Sequence, residues 1–228
     1  MCIKIHKRLS LVLLLLLSVT MVQASDEAGS WISVDFSKGL GDRWKLGFGT
    51  ELRVYDNFKS VDRWQVKANA TFDACSFLKL YTSYEFHLKW KQNNLNEKEM
   101  FPRHRVKFDV VFHGKVAKYL SLSMRERYQF THTSGVNDTP ASNEHHLRSK
   151  FKMDFPVKNW TPYLSYEIYN RIDKGFKFDE MRFAAGTVYS ITKHHDISFG
   201  YLLVMKPDAD NSFNNRVHVI QIGYVFNW

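Results

Sequence analysis

Apolar side chains return at every second position along most of this chain. In one run Trp44, Leu46, Phe48, Thr50, Leu52 and Val54 interleave with Lys45, Gly47, Gly49, Glu51 and Arg53. A strand turns successive side chains to opposite faces, so a period of two predicts a strand with one oily and one polar face. The pattern recurs over Leu78–Trp90, Leu120–Phe130 (where Glu126 interrupts the oily side), Trp160–Ile168 and Ile197–Met205. Between these lie arms that read as shorter: Val66–Phe72, Val106–Phe112, Leu147–Phe155 and Phe183–Tyr189. The last run sets Ile220, Ile222, Tyr224, Phe226 and Trp228 on one face and reaches the final residue. No helix-period segment of useful length competes with these runs beyond residue 24. The fold class is all-β.

The connections sort into two kinds. Those near Lys38–Arg43, Asp73–Phe77, His113–Lys118, Pro156–Asn159 and Thr192–His195 are short. Those near Lys91–Phe101, Thr131–Asn143, Arg171–Phe178 and Lys206–Asn214 are longer and rich in Asn, Asp, Lys and Ser, and Asp56–Ser60 is a short link in a long-loop slot. Short turns on one rim and long polar loops on the other predict an antiparallel up-and-down transmembrane β-barrel. The strand count is open between ten and twelve. Eleven candidates appear when Trp31–Ser37 is included, whereas single-chain bacterial barrels have an even number. Ten follow if Trp31–Ser37 is not a wall strand, and twelve if one strand is hidden. An odd barrel would need parallel first and last strands.

Both ends fit export to an outer membrane. Lys4, Lys7 and Arg8 precede the apolar run Leu9–Val19, and Val22-Gln23-Ala24 has cleavage-site spacing. The run is short of the ~20 residues that span a bilayer as a helix. It predicts a cleaved Sec signal peptide, residues 1–24, and one barrel domain, residues 25–228, in the outer membrane of a Gram-negative bacterium. At the other end, Gln221, Gly223, Phe226 and Trp228 resemble the signal read by the barrel assembly machinery, which is thus an expected partner. Cys2 leaves with the leader, and Cys75 alone can form neither an intramolecular disulfide nor a cysteine zinc cluster. The mean hydropathy is slightly negative, as in soluble proteins. A barrel gives that value too, because alternate residues face a polar lumen.

Charge changes the picture further. Lysine and arginine number 32 against 23 acidic residues, a net charge of +9. Strand parity turns Arg53, Arg63, Lys67, Lys89, Arg105, Lys107, Arg125, Arg127, Arg148, Lys150, Lys152 and Arg182 inward, with Asp35, Glu51, Glu85, Asp109, Asp154 and Glu167 beside them. Two readings follow. Inward cations make a channel or binding cleft for small anionic solutes such as acidic oligosaccharides; or the charges pair and fill a narrow lumen, giving a structural barrel. The pairs His145-His146 and His194-His195 point to opposite faces and read as solvated imidazoles at strand ends. No spacing marks a catalytic set, and no metal or cofactor is expected. A lipid A- or phospholipid-modifying enzyme remains an alternative, as does a protein that binds partners through its surface loops. Nucleic acid is a poor fit, because Trp44, Trp64, Trp90, Trp160 and Trp228 fall near strand ends, suiting an aromatic girdle against outer-membrane lipid.

Over the mature length the chain resembles a family of Gram-negative outer-membrane proteins, the domain-of-unknown-function family 2490. The resemblance rests on Trp31, Trp44-Lys45-Leu46 leading into Glu51-Leu52-Arg53, Tyr163 to Glu167, His194-His195-Asp196 and Gly223 to Phe226. It implies the barrel fold and the outer-membrane location, and brings no activity and no site residues. If the last strand is an assembly address, deleting Phe226–Trp228 lowers the yield of folded, membrane-inserted protein. Heat-modifiable migration of outer-membrane fractions measures this; unchanged yield would refute the assignment.

Overall fold

Eleven strands run up and down around one axis and close on themselves. The computed structural model describes residues 27–92, 98–208, 212–213 and 215–228. The expected signal peptide, residues 1–24, lies outside them. The strands are β1 (Glu27–Leu40), β2 (Trp44–Tyr55), β3 (Ser60–Cys75), β4 (Leu78–Gln92), β5 (Lys98–Ala117), β6 (Leu120–Thr133), β7 (Ser142–Asp154), β8 (Trp160–Arg171), β9 (Lys177–Ser190), β10 (His195–Lys206) and β11 (Asn215–Asn227). Each pairs antiparallel with its sequence neighbours, and β1 closes the wall by pairing parallel with β11 from Glu27↔Val217 to Ser37↔Asn227. In an up-and-down chain every strand reverses the last, so first and last strands run the same way only when the count is odd. Among the described residues the count is eleven, and Trp31–Ser37 lies inside a full wall strand.

The descending arms are not shorter. β3 has 16 residues and β5 has 20, against 12 in β2 and 15 in β4. The charged stretches Asp62-Arg63 and Arg103-His104-Arg105, which flank the apolar runs Val66–Phe72 and Val106–Phe112, belong to the ladder, with Arg63 opposite Lys89 and Arg105 opposite Glu85. A charge that faces a polar lumen is compatible with a strand interior, so charge density alone does not mark a loop here.

Parity sorts the wall into two faces. Outward positions carry Phe36, Phe48, Phe108, Phe199 and Ile220, each about half exposed although large and apolar. A continuous wall of this kind is unfavourable in water, at roughly 25 cal/mol per Å² of apolar surface. In hydrocarbon it costs nothing, and the barrel is a transmembrane one. Aromatic pairs rim its short-turn end, with Trp44 against Phe72 at 4.7 Å and Trp160 against Tyr189 at 4.6 Å between ring centroids. Trp31 is the exception to the girdle: it faces inward and is buried with Leu202, Val204, Val217 and Val219.

Residues of the closing strand lock the seam. Asn227 Oδ1 accepts from Ser37 Oγ (2.7 Å) and Lys45 Nζ (3.0 Å), and its Nδ2 donates to Asp196 Oδ2 at 2.8 Å. One side chain thus ties β11 to β1, β2 and β10. Trp228 N donates to Ser37 O at 2.8 Å, and Lys38 Nζ lies 3.7 Å from the Trp228 ring centre. Of the four residues of the assembly-like motif, Gln221 and Gly223 face inward and Phe226 faces outward, while Trp228 is exposed beyond the end of β11. Gly223 sits opposite Ser33 of β1 and Ser198 of β10, where a Cβ would run into both hydroxyls. Gly223→Val therefore lowers barrel stability by about 1–3 kcal/mol in urea titrations; an unchanged midpoint would mean that the seam is looser than described.

Candidate functional site

The inward faces of β3 to β9 converge on a charged lumen. Three carboxylates act as hubs. Glu85 takes Lys107 Nζ, Arg105 Nη1 at 3.5 Å and His87 Nε2 at 3.1 Å. Asp109 receives Arg127 through two bonds of 2.6 Å, the fork geometry that suits guanidinium to carboxylate. Glu167 accepts from Arg148 at 3.1 and 2.8 Å and from Arg125. Outlying pairs are Lys67–Asp35 (2.7 Å), Arg53–Glu51 (2.5 Å), Arg103–Glu144 (3.1 Å) and Arg182–Glu180. Glu85, Asp109 and Glu167 are at most 5 % exposed, so the middle of the lumen is packed with paired charge.

The pairing is incomplete by design of the register. Arg53 stands opposite Arg63, and Arg63 opposite Lys89, so three cations lie side by side across β2, β3 and β4. Like charges directly opposite destabilise a sheet. Among the described residues only Glu51, bound to Arg53, and Asp62, 2.6 Å from Arg63 and 3.8 Å from Lys89, pair with this row. Lys150, opposite Arg125, makes no ion pair or hydrogen bond among the described residues.

Aromatic rings hold the arginines in place on the other side. Arg53 lies 3.6 Å over the Trp31 ring and Arg182 5.2 Å from it; Arg182 and Arg148 stack on Tyr169 at 4.4 and 4.0 Å. Trp31 Nε1 donates to Tyr55 Oη at 3.0 Å. The column Arg53–Trp31–Arg182–Tyr169–Arg148 fixes three guanidinium groups against planar faces, where cation–π attraction operates. Valine and leucine of β10 and β11 back Trp31, so this quarter of the lumen is apolar beneath the arginines.

A cavity of about 610 Å³ remains, running from Glu27, Lys91 and Lys206 near the long-loop rim to Tyr81, Lys150 and Gln221. Fourteen lysines and arginines line it against eight carboxylates, so its field is positive. The sequence-predicted cations Arg53, Arg63, Lys67, Lys89, Arg105, Lys107, Arg125, Arg127, Arg148, Lys150 and Arg182 all line it. Lys152 also faces inward but lies beyond the cavity, held by Asp154 at 2.6 Å.

Sequence reasoning missed several members. Trp31, Tyr55 and Tyr169 are not among the inward residues predicted from the sequence, yet all three line the cavity. Parity would have found Trp31, which alternates with Ile32, Val34 and Phe36 and shares a face with Ser33 and Asp35. His146 is not a solvated imidazole: it is 5 % exposed inside the lumen, with Nε2 3.1 Å from Asp179 Oδ2, because inward parity carries the strand end into the barrel. Its neighbour His145 faces outward against Tyr128, and His195 does so against Tyr224.

An eleven-stranded wall with an oily outside and a charged, partly filled inside defines a porin-like transmembrane barrel. The solved structure of the NanC porin, in a rhombohedral crystal form, superposes with a TM-score of 0.53 over 89 % of this chain and 99 % of that one, at 12 % identity. That likeness shows the fold. Residues 28–215 match the family described as a protein of unknown function, DUF2490, and the chain belongs to that family. No curated protein sequence matches the chain.

The buried hubs set the stability of the lumen. Removing one partner of a buried pair leaves an uncompensated charge, so Glu167→Gln, which strands Arg125 and Arg148, lowers stability by about 3 kcal/mol in urea unfolding. Asp42→Asn in the exposed β1–β2 turn changes it by less than about 0.5 kcal/mol. Equal effects of the two substitutions would show that the lumen network contributes nothing.

Proposed function

We propose that this protein is a narrow outer-membrane channel that admits small anionic solutes. The carrying observation is the excess of fourteen cations over eight carboxylates around the lumen cavity. Fixed cationic groups in a low-dielectric wall concentrate anions and exclude cations. The row Arg53–Arg63–Lys89 supports this reading, because like charges held side by side cost stability unless a ligand or function offsets them. The packed ion pairs of the midsection make the path narrow, which favours solutes of modest size such as short acidic oligosaccharides. The likeness to a porin agrees with a transport role. The same reading takes residues 1–24 as the cleaved export signal, residues 25–228 as one barrel domain, and the final strand as the address for outer-membrane assembly.

Refolded protein in planar bilayers tests it. Under a KCl gradient the reversal potential has the sign of anion selectivity, and the double variant Arg63→Glu, Lys89→Glu moves it towards or past zero. The absence of discrete conductance, or cation selectivity of the unaltered protein, would overturn the proposal.

A further inference from the structure

The outer wall carries polar side chains where lipid contact calls for apolar ones. Parity places His104 of β5, His132 of β6 and His145 of β7 on the outward face near the long-loop rim. The registers run Phe86↔His104↔His132↔Asn143 in one row and Val106↔Phe130↔His145 in the next, so the three imidazoles form one patch around Phe130. The His104 and His132 rings lie 6.4 Å apart, and His145 packs 4.9 Å from Phe130.

Each ring is anchored through Nδ1. Tyr84 Oη lies 2.6 Å from His104 Nδ1, and Tyr128 Oη 2.8 Å from His145 Nδ1. A phenol donating to Nδ1 leaves the ring proton on Nε2, so both imidazoles present an Nε2–H donor. His132 Nδ1–H donates to Asn143 Oδ1 at 2.8 Å. Among the described residues no Nε2 of the three has a partner, and none is sealed from its surroundings. The nearby carboxylates are already engaged. Asp173 takes Arg171 at 2.6 and 3.3 Å and the His145 amide at 3.2 Å, and the Arg171 hydrogen bond holds its carboxyl well below the usual range. Glu126, deeper on the outer face of β6, accepts from Ser149 Oγ at 2.7 Å.

We propose that this patch is a docking site for the phosphate of an outer-leaflet lipid headgroup, bound by the Nε2–H groups of His104 and His145 beside the His132 ring, while acyl chains lie along the apolar wall below. Long loops mark the outer rim of such barrels, and the phosphate layer lies at that level. A phosphate oxygen is the acceptor that these fixed donors fit, and the bond to an anion is stronger than one between neutral groups. Tyr–His pairing recurs on this wall at Tyr201–His218 and Tyr224–His195, but among the described residues only β5–β7 gather three imidazoles.

The test uses the full barrel refolded in detergent, with bis-phosphorylated lipid A and its dephosphorylated form as probes in native mass spectrometry. The unaltered protein retains the phosphorylated lipid about tenfold more tightly, the worth of roughly one charge-assisted hydrogen bond. His104→Leu, His132→Leu, His145→Leu abolishes that preference. Tyr84→Phe, Tyr128→Phe, which frees the ring tautomers, weakens it while heat-modifiable migration stays normal. Equal retention of the two lipids by the unaltered protein, or an undiminished preference in the folded triple variant, overturns the site.

Discussion

Lipid cannot hydrogen-bond a backbone, so a strand crossing a bilayer must find a partner on both edges. That constraint organises everything else here. It forbids a free edge on β1 or β11 and makes the chain close on itself, and with eleven strands closure is parallel. Parallel ladders are slightly weaker per residue than antiparallel ones. The side chains at this seam add what the ladder lacks: Asn227 reaches three other strands, and Lys38 caps the Trp228 ring.

Closure then decides the chemistry inside. A small barrel brings every inward side chain towards the others, and the inward positions of this chain are largely ionic. Charges removed from water need partners, and Glu85, Asp109 and Glu167 supply them to six neighbours of opposite charge or imidazole type. Aromatic faces complete the work where carboxylates run short, with Trp31 and Tyr169 each stacked between two guanidinium groups. Packing and charge balance thus draw on one network. Pairing holds the wall together, and the cations left in excess set the sign of the field.

The outside is governed by the same alternation in a different solvent. Phenylalanine is the commonest exposed apolar residue, rings gather at the short-turn rim, and His104, His132 and His145, hydrogen-bonded to tyrosine or asparagine, collect at the other. A hydroxyl–imidazole pair is stable at an interface because its internal bond lowers the cost of leaving water while an outer nitrogen still meets the headgroup layer.

The period-two pattern alone was sufficient for the class, the inward parity of Arg53 to Arg182, and the asymmetry of turns and loops, because which face a residue takes is a local property of a strand. The lengths of β3 and β5 were hidden because their apolar alternation covers only Val66–Phe72 and Val106–Phe112, while the ladder runs on over Ser60–Cys75 and Lys98–Ala117. Only the tertiary structure decided the count of eleven, the parallel seam, the stack of Arg53 and Arg182 on Trp31, and the burial of His146 beside Asp179. Each of these depends on registers between strands distant in sequence and on what faces what across the lumen. Periodicity carries the face of a residue but not its opposite number, and in a closed barrel it is the opposite number that sets both packing and charge.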